Sequence, residues 1–456
     1  MSTARRVFQL MAKPSGAICN LDCDYCFFLS KEQLYPGSPF RMDDEVLSRY
    51  VEQLLAAHPD QEEVTFAFQG GEPTLMGVDF FARCLQLQRE HRRPGQTILN
   101  TIQTNATLVD DTWARFLADN DFLVGVSIDG PREMHDAYRR DKGGKATFDR
   151  VIAGLDRLRE AGVEWNALTT VNAANADHPL EVYSFLTEEL GAQYLQFIPI
   201  VERVTEEMLP LAEQQGWGSR NHRSVLYTQT GTAVTSRSVS PQQYGRFLID
   251  VFEHCVRNDI GDVYVSMFDT TLAHFVGYEN VGLCVHARTC GQALALEHNG
   301  DVYSCDHYVE PDYKIGNLAD GRSLLEIVDS APQQAFGQAK LTTLPKYCRE
   351  CDVRFACNGG CPKDRFLTTP DGEPGLHYLC QGYQAFFRHV DKPMRLMTSF
   401  LRQERDAGEI RGWYAARDAK RRPDDPCTCA GPQPWGRCHG AAVPDVPPPP
   451  SDPRSS

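Results

Sequence analysis

Three cysteines fall within the eight residues CNLDCDYC: Cys19, Cys23 and Cys26, spaced C-x3-C-x2-C. Thiolates this close together bind metal, and the interval is unusual for zinc. Three thiolates on a 4Fe–4S cluster leave one iron without a protein ligand, and an outside molecule can bind there. The spacing also allows a zinc ion completed from elsewhere, or a fourth cysteine from a distant segment. The stretch QGGEPTL (Gln69–Leu75) bears on that choice. Adjacent glycines let a ligand approach the backbone, exposed amide N–H groups suit a carboxylate, and Glu72 offers a charge for an amine. An amino acid held here has its amine and carboxylate free to chelate the open iron.

Eight more cysteines follow: Cys284, Cys290, Cys305, Cys348, Cys351, Cys357, Cys361 and Cys380. Eight is twice four, enough for two fully ligated clusters, although spacing alone allows two structural zinc knots equally well. Near the end, CTCAGPQPWGRCH sets Cys427, Cys429, Cys438 and His439 in a C-x-C-x8-C-H pattern. Three thiolates and an imidazole suit tetrahedral structural zinc, in a module too small to fold without its metal. Of the 16 cysteines only Cys84 and Cys255 stand apart, both in helical patterns (FFARCLQLQ, LIDVFEHCV), where they read as buried, inert thiols. The N-terminal MSTARRVFQLMAKPSG lacks a signal-peptide h-region, so the clustered cysteines read as metal ligands of a cytoplasmic protein rather than disulfides.

These residues need a scaffold. Strand-like runs at Arg6–Ala12, Val64–Gln69, Thr97–Thr104, Phe122–Ile128, Trp165–Val171 and Tyr194–Val201 alternate with helical patterns such as DDEVLSRYVEQLLAAH and TFDRVIAGLDRLREAG. Repeated βα units predict a parallel sheet with helices outside. Six units are too few to close an eight-stranded barrel, which leaves an open barrel or a doubly wound sheet. CNLDCDYC follows the first strand, QGGEPTL ends the second, QTNAT (Gln103–Thr107) the third and SIDGP (Ser127–Pro131) the fourth. All four lie at carboxyl ends, the rim where parallel sheets build active sites. A polar insertion over residues 214–240 reads as a substrate-facing loop or a mobile segment, and the Pro-rich VPDVPPPPSDPRSS as disordered. The net charge of −15 argues against a nucleic-acid surface. No stretch approaches the roughly 20 apolar residues of a membrane span.

Taken together, CNLDCDYCFF, FAFQGGEPTL, QTNATLVDDTWARFL and VGVSIDGPREMHDAYR resemble the radical S-adenosylmethionine superfamily. Within it, residues 7–390 are similar to the anaerobic sulfatase-maturating enzymes. The resemblance implies an α/β fold: a partial (β/α)6 barrel, a cysteine-rich SPASM domain and a small C-terminal zinc motif. It implies S-adenosylmethionine on the open iron of a cluster held by Cys19, Cys23 and Cys26. Tyr25, Gly71, Ser127, Arg139 and Val201 are its implied contacts, Tyr25 and Val201 through backbone or adenine packing. Phe28 stands where the family often has Tyr. Two auxiliary 4Fe–4S clusters are implied, one on Cys284, Cys290, Cys305 and Cys361, the other on Cys348, Cys351, Cys357 and Cys380. Asp306 stands where the family has its proton acceptor. By residue type alone, an Asp beside a ligand reads more readily as hydrogen-bonding support, and Asp129 and Glu72 are rival carboxylates nearer the cofactor. The C-terminal pattern resembles the SEC-C zinc motif, with a docking role and a passive appendage both open.

The implied activity is oxidation of a Cys or Ser of an unfolded sulfatase to Cα-formylglycine, with an electron donor such as flavodoxin or ferredoxin. The principal alternative is a maturase that cross-links a ribosomally made peptide; a zinc-rich adaptor without catalysis is another. The expected organisation is a barrel over 1–235, a linking helix region over 236–281, SPASM over 282–390, a helical linker over 391–422, the zinc motif over 423–441 and the tail over 442–456.

Overall fold

Six parallel strands lie side by side in chain order: β1 (Gln9–Lys13), β2 (Glu63–Phe68), β3 (Thr97–Thr104), β4 (Leu123–Ser127), β5 (Trp165–Val171) and β6 (Tyr194–Pro199). The computed structural model describes residues 8–59, 61, 63–217, 225–279, 282–429 and 431–439. The start of the first expected strand, part of the insertion and the Pro-rich tail lie outside the described residues. Alternation within the strands drives the packing. In β2, Val64, Phe66 and Phe68 are buried while the residues between them are less so, and Phe66 and Phe68 meet Tyr50 of the helix Asp44–Ala57 edge to face. That helix starts where Asp43 accepts from the Val46 N–H, a side-chain N-cap. Arg132–Tyr138 and Ala331–Thr342 are among the helices that the sequence pattern did not predict. The first is 7 residues long, too short for its periodicity to stand out.

The sheet does not stop at β1. The strand Ala293–Glu297 runs parallel to it, in register from Gln9↔Ala293 to Lys13↔Glu297. Antiparallel strands Asp301–Tyr303 and Lys314–Asn317 continue outward. On the far side, Tyr264–Val265 pairs with β6, giving an open ten-stranded sheet. The cysteine-rich segment therefore shares a sheet with the βα units. The two parts also meet through helices: Gly245 of Pro241–Asn258 lies against Gly382 of Cys380–Leu401, where a Cβ on Gly245 would come within 2.8 Å of the Gly382 Cα. Glycine at both positions lets the helices approach closely. The helix Cys380–Leu401 runs unbroken through residue 390.

Candidate active site and metal-binding groups

The CNLDCDYC loop is pinned where it leaves β1. Asp22 and Asp24 donate backbone N–H groups to Arg140 and Tyr138, at 2.8 and 3.0 Å, and Cys26 N donates to Cys23 O at 3.1 Å. Cys19, Cys23, Tyr25 and Leu29 form one buried cluster with Cys26 against it. Cys19 Sγ accepts from Leu21 N at 3.3 Å and from Asn105 Nδ2 at 3.6 Å. Burial pushes the Cys19 thiol up, with Glu72 and Cys23 adding to it. Burial likewise pushes Cys23 to about 12 and raises Cys26. Three such thiols ionise together only against a compensating positive charge, which a metal cluster supplies. The donor set fits a cluster.

The QGGEP loop differs from its sequence reading. Gly71 N donates to Gly16 O at 2.8 Å and Glu72 N to Ile18 O at 2.9 Å, so these amides lace the loop to the cysteine loop. A Cβ on Gly71 would lie 2.0 Å from Ile18 O, so packing between the loops demands glycine there. The Glu72 carboxylate is not open to an amine. It accepts from Thr74 N, Thr74 Oγ1, Thr104 Oγ1 and Asn105 N at 2.7–3.0 Å, and is 1 % exposed.

Around the same mouth, Asp129 is fully buried and accepts from Arg139 Nε at 2.9 Å and Nη2 at 3.1 Å, from the Tyr25 hydroxyl, and from Thr170 N at 3.0 Å. Burial pushes its carboxyl up, but the Arg139 guanidinium more than offsets this and holds it below the usual carboxylate value. Tyr25 thus turns its hydroxyl inward. Ser127 Oγ accepts from Gln103 Nε2 at 3.0 Å, and Val201 is buried at the end of β6. The insertion packs on this rim: Trp217 stacks on Tyr227 at 4.1 Å, and Lys31 Nζ donates to Tyr227 O at 2.8 Å.

Asp306 opens the short turn Asp306–Tyr308, directly after Cys305. Its side chain is 19 % exposed and its Oδ1 pairs with Lys13 Nζ. Burial pushes the carboxyl up; Lys13, His307 and Lys31 more than offset it, so the group sits below its ordinary value and is ionised at neutral pH. Lys13, Lys31 and Asn105 were missed by sequence reasoning. A lysine closing an apolar strand (QLMAK) was the available signal for the first.

The later cysteines gather in two sets. Cys305 lies in the field of Cys361 and Cys284, Cys284 in that of Cys290, and Cys361 in that of Cys290. Buried Lys340 sits among them, donating to Cys284 O at 2.8 Å and Val285 O at 2.9 Å. Cys348, Cys351, Cys357 and Cys380 line one small cavity, and burial raises Cys357 to about 11 and Cys380 to about 12. Each set offers four thiols, the number that ligates every iron of a 4Fe–4S cluster.

The C-terminal group is tighter. The ligand atoms of Cys427, Cys429, Cys438 and His439 all lie within 4.8 Å of one another, which suits one tetrahedral ion. His439 Nδ1 is 3.2 Å from both Cys427 Sγ and Cys438 Sγ, while Nε2 donates to Asp250 O at 3.0 Å. That backbone bond fixes the ring nitrogen facing the thiols.

These features define a radical S-adenosylmethionine enzyme with an auxiliary-cluster domain. The Radical SAM superfamily model matches residues 14–186, and the SPASM model, an iron-sulfur cluster-binding domain, matches residues 284–352. The chain belongs to the anaerobic sulfatase-maturating enzyme family. It is 44 % identical over 402 residues to the serine-type anaerobic sulfatase-maturating enzyme of Bacteroides thetaiotaomicron, covering 88 % of this chain and 94 % of that one. It is 33 % identical over 384 residues to the cysteine-type enzyme of Clostridium perfringens, covering 84 % and 95 %. A solved structure, native anSMEcpe with bound AdoMet and Cp18Cys peptide, superposes with a TM-score of 0.70 at 31 % identity, covering 86 % of this chain and 98 % of that one. Among the described residues no helix is long and apolar enough to cross a membrane.

Proposed function

We propose that this protein oxidises a Cys or Ser side chain of an unfolded sulfatase to Cα-formylglycine in the cytoplasm, drawing electrons from a small carrier such as flavodoxin or ferredoxin. Cys19, Cys23 and Cys26 hold the cofactor cluster, with Tyr25, Gly71, Ser127, Arg139 and Val201 around S-adenosylmethionine. Cys284, Cys290, Cys305 and Cys361 hold one auxiliary cluster, and Cys348, Cys351, Cys357 and Cys380 the other. Cys427, Cys429, Cys438 and His439 hold a structural zinc. We read the barrel over 1–235, SPASM over 282–390 and the zinc motif over 423–441 as functional divisions, the first and second of which contribute strands to one sheet. When bound, the cofactor supplies the radical that removes a substrate Cβ hydrogen, and the auxiliary clusters supply electron acceptors.

The protein's own part is to aim and to accept a proton. Asp129 braces both Arg139 and Tyr25, accepting from each. Asp306 takes the proton that the oxidised side chain must lose. The observation that carries this reading is the contrast among three carboxylates: Glu72 and Asp129 have their oxygens engaged by donors, whereas Asp306 is partly exposed and paired through one oxygen. Anaerobic incubation of the reduced enzyme with S-adenosylmethionine and sulfatase-motif peptides, in Cys and Ser versions, tests it by mass spectrometry. Loss of two hydrogens, from Ser as aldehyde or from Cys as thioaldehyde before hydrolysis, is expected. A new internal cross-link without aldehyde would instead identify a peptide cross-linking maturase.

A further inference from the structure

Lys13 closes β1 and belongs to the half of the molecule that carries the cofactor loops. Its side chain is 3 % exposed, and among the described residues Asp306 is the only carboxylate paired with it. A buried ammonium is costly unless a partner holds it, so the pairing is strongly favoured. Asp306 Oδ1 is shielded from solvent, and Lys13 holds it through its charge and its donor N–H groups. No described group donates to Oδ2.

Backbone and packing hold the root of the side chain, and an aromatic ring flanks its ammonium. Lys13 O accepts from Gly16 N at 2.9 Å. Gly70 lies so close that a Cβ there would come within 3.2 Å of the Lys13 Cβ. The Phe28 ring lies 4.1 Å from Nζ, presenting a π face and no hydroxyl to compete for the ammonium. The neighbouring buried cation, Lys31, is taken up by Glu310 Oε1 and Tyr227 O.

We propose that Lys13 is a positioning residue for Asp306: it draws Oδ1 inward across the junction between the cofactor loops and the SPASM segment, leaving Oδ2 to receive the substrate proton. The inference rests on the reading of Asp306 as proton acceptor and adds a second residue to it. Phe28, placed where the family often has Tyr, completes the device by presenting no hydroxyl that could share the ammonium with Asp306.

The test compares full-length Lys13→Gln, Lys13→Arg and Asp306→Asn, each loaded with iron and sulfide. Four readouts are taken: iron content, peptide affinity, 5′-deoxyadenosine released, and formylglycine formed per deoxyadenosine. In Lys13→Gln, iron, affinity and deoxyadenosine are expected to hold while formylglycine per deoxyadenosine falls at least about tenfold, the scale of loss that a misplaced reacting group produces. Lys13→Arg is expected to recover part of that coupling. A wild-type ratio in Lys13→Gln, alongside lost aldehyde in Asp306→Asn, overturns the positioning role alone. A wild-type ratio in Asp306→Asn overturns the reading of Asp306 itself. Should Lys13→Gln fail to fold, the crystal structure of Lys13→Arg decides: coupling that does not follow the ion pair between the introduced guanidinium and Asp306, kept or lost, overturns the proposal.

Discussion

Asp129 and Asp306 each face a buried cation, yet the two are built differently. Asp129 takes two nitrogens of a guanidinium, a phenol and a backbone amide, and no part of it reaches solvent. Asp306 has one ionic partner and a side chain open on one side. Glu72 resembles Asp129, with four donors on its two oxygens. A saturated carboxylate has nowhere to put a proton without giving up a bond, so it serves as a brace; an unsaturated one beside a cation stays ionised and able to accept. The barrel mouth therefore carries the saturated carboxylates, and the segment from the cysteine-rich half carries the unsaturated one, proposed above as the base.

That contrast can be broken most sharply at Asp306. Asp306→Asn is expected to cut formylglycine formation about 1,000-fold, within the range of a lost general base, while 5′-deoxyadenosine release continues; quantifying both products in one reaction checks it. Full aldehyde yield would move the base elsewhere. Asp129→Asn should act on stability instead, because it leaves the Arg139 guanidinium without its counter-charge. A loss of about 3 kcal/mol is expected in anaerobic urea unfolding, with the ratio of aldehyde to deoxyadenosine preserved. If this variant cleaves the cofactor and makes no aldehyde, the division between brace and base is wrong.

Glu72→Gln keeps an acceptor oxygen but sets an NH2 group against donors, and about 2 kcal/mol is expected to be lost, again with the product ratio intact. The smallest effect lies outside both regions. Cys438→Ser is expected to release the C-terminal metal, measurable as zinc per chain, and to loosen His439 from Asp250 O. The rest of the chain should lose about 1 kcal/mol, the net worth of such a bond, with iron content and product ratio unchanged.

Much of the fold was legible in the sequence. Trp165–Val171 and Thr97–Thr104 are the strands expected residue for residue, because their β-rich runs are bounded by turn residues. The strands after the barrel were not readable. At 3–5 residues, Ala293–Glu297, Asp301–Tyr303 and Lys314–Asn317 are too short for alternation to show, and the pairing of Ala293–Glu297 with β1 joins segments nearly 300 residues apart in sequence. For the same reason Glu72 was misread. The glycines beside it suggested an open loop, but two of the four donors that close it come from Thr104 and Asn105 on the next strand end.

The sequence by itself determined which chemistry is available: the kinds of ligand, how many thiols stand together, and which loops end parallel strands. Those are properties of side-chain type and local spacing. Only the tertiary structure decided which carboxylates are spent on bracing and which is left to react, and that Lys13 reaches Asp306. Burial and charge pairing depend on which distant segments meet, and the energy of a buried charge is set by every partner around it rather than by its neighbours in the chain.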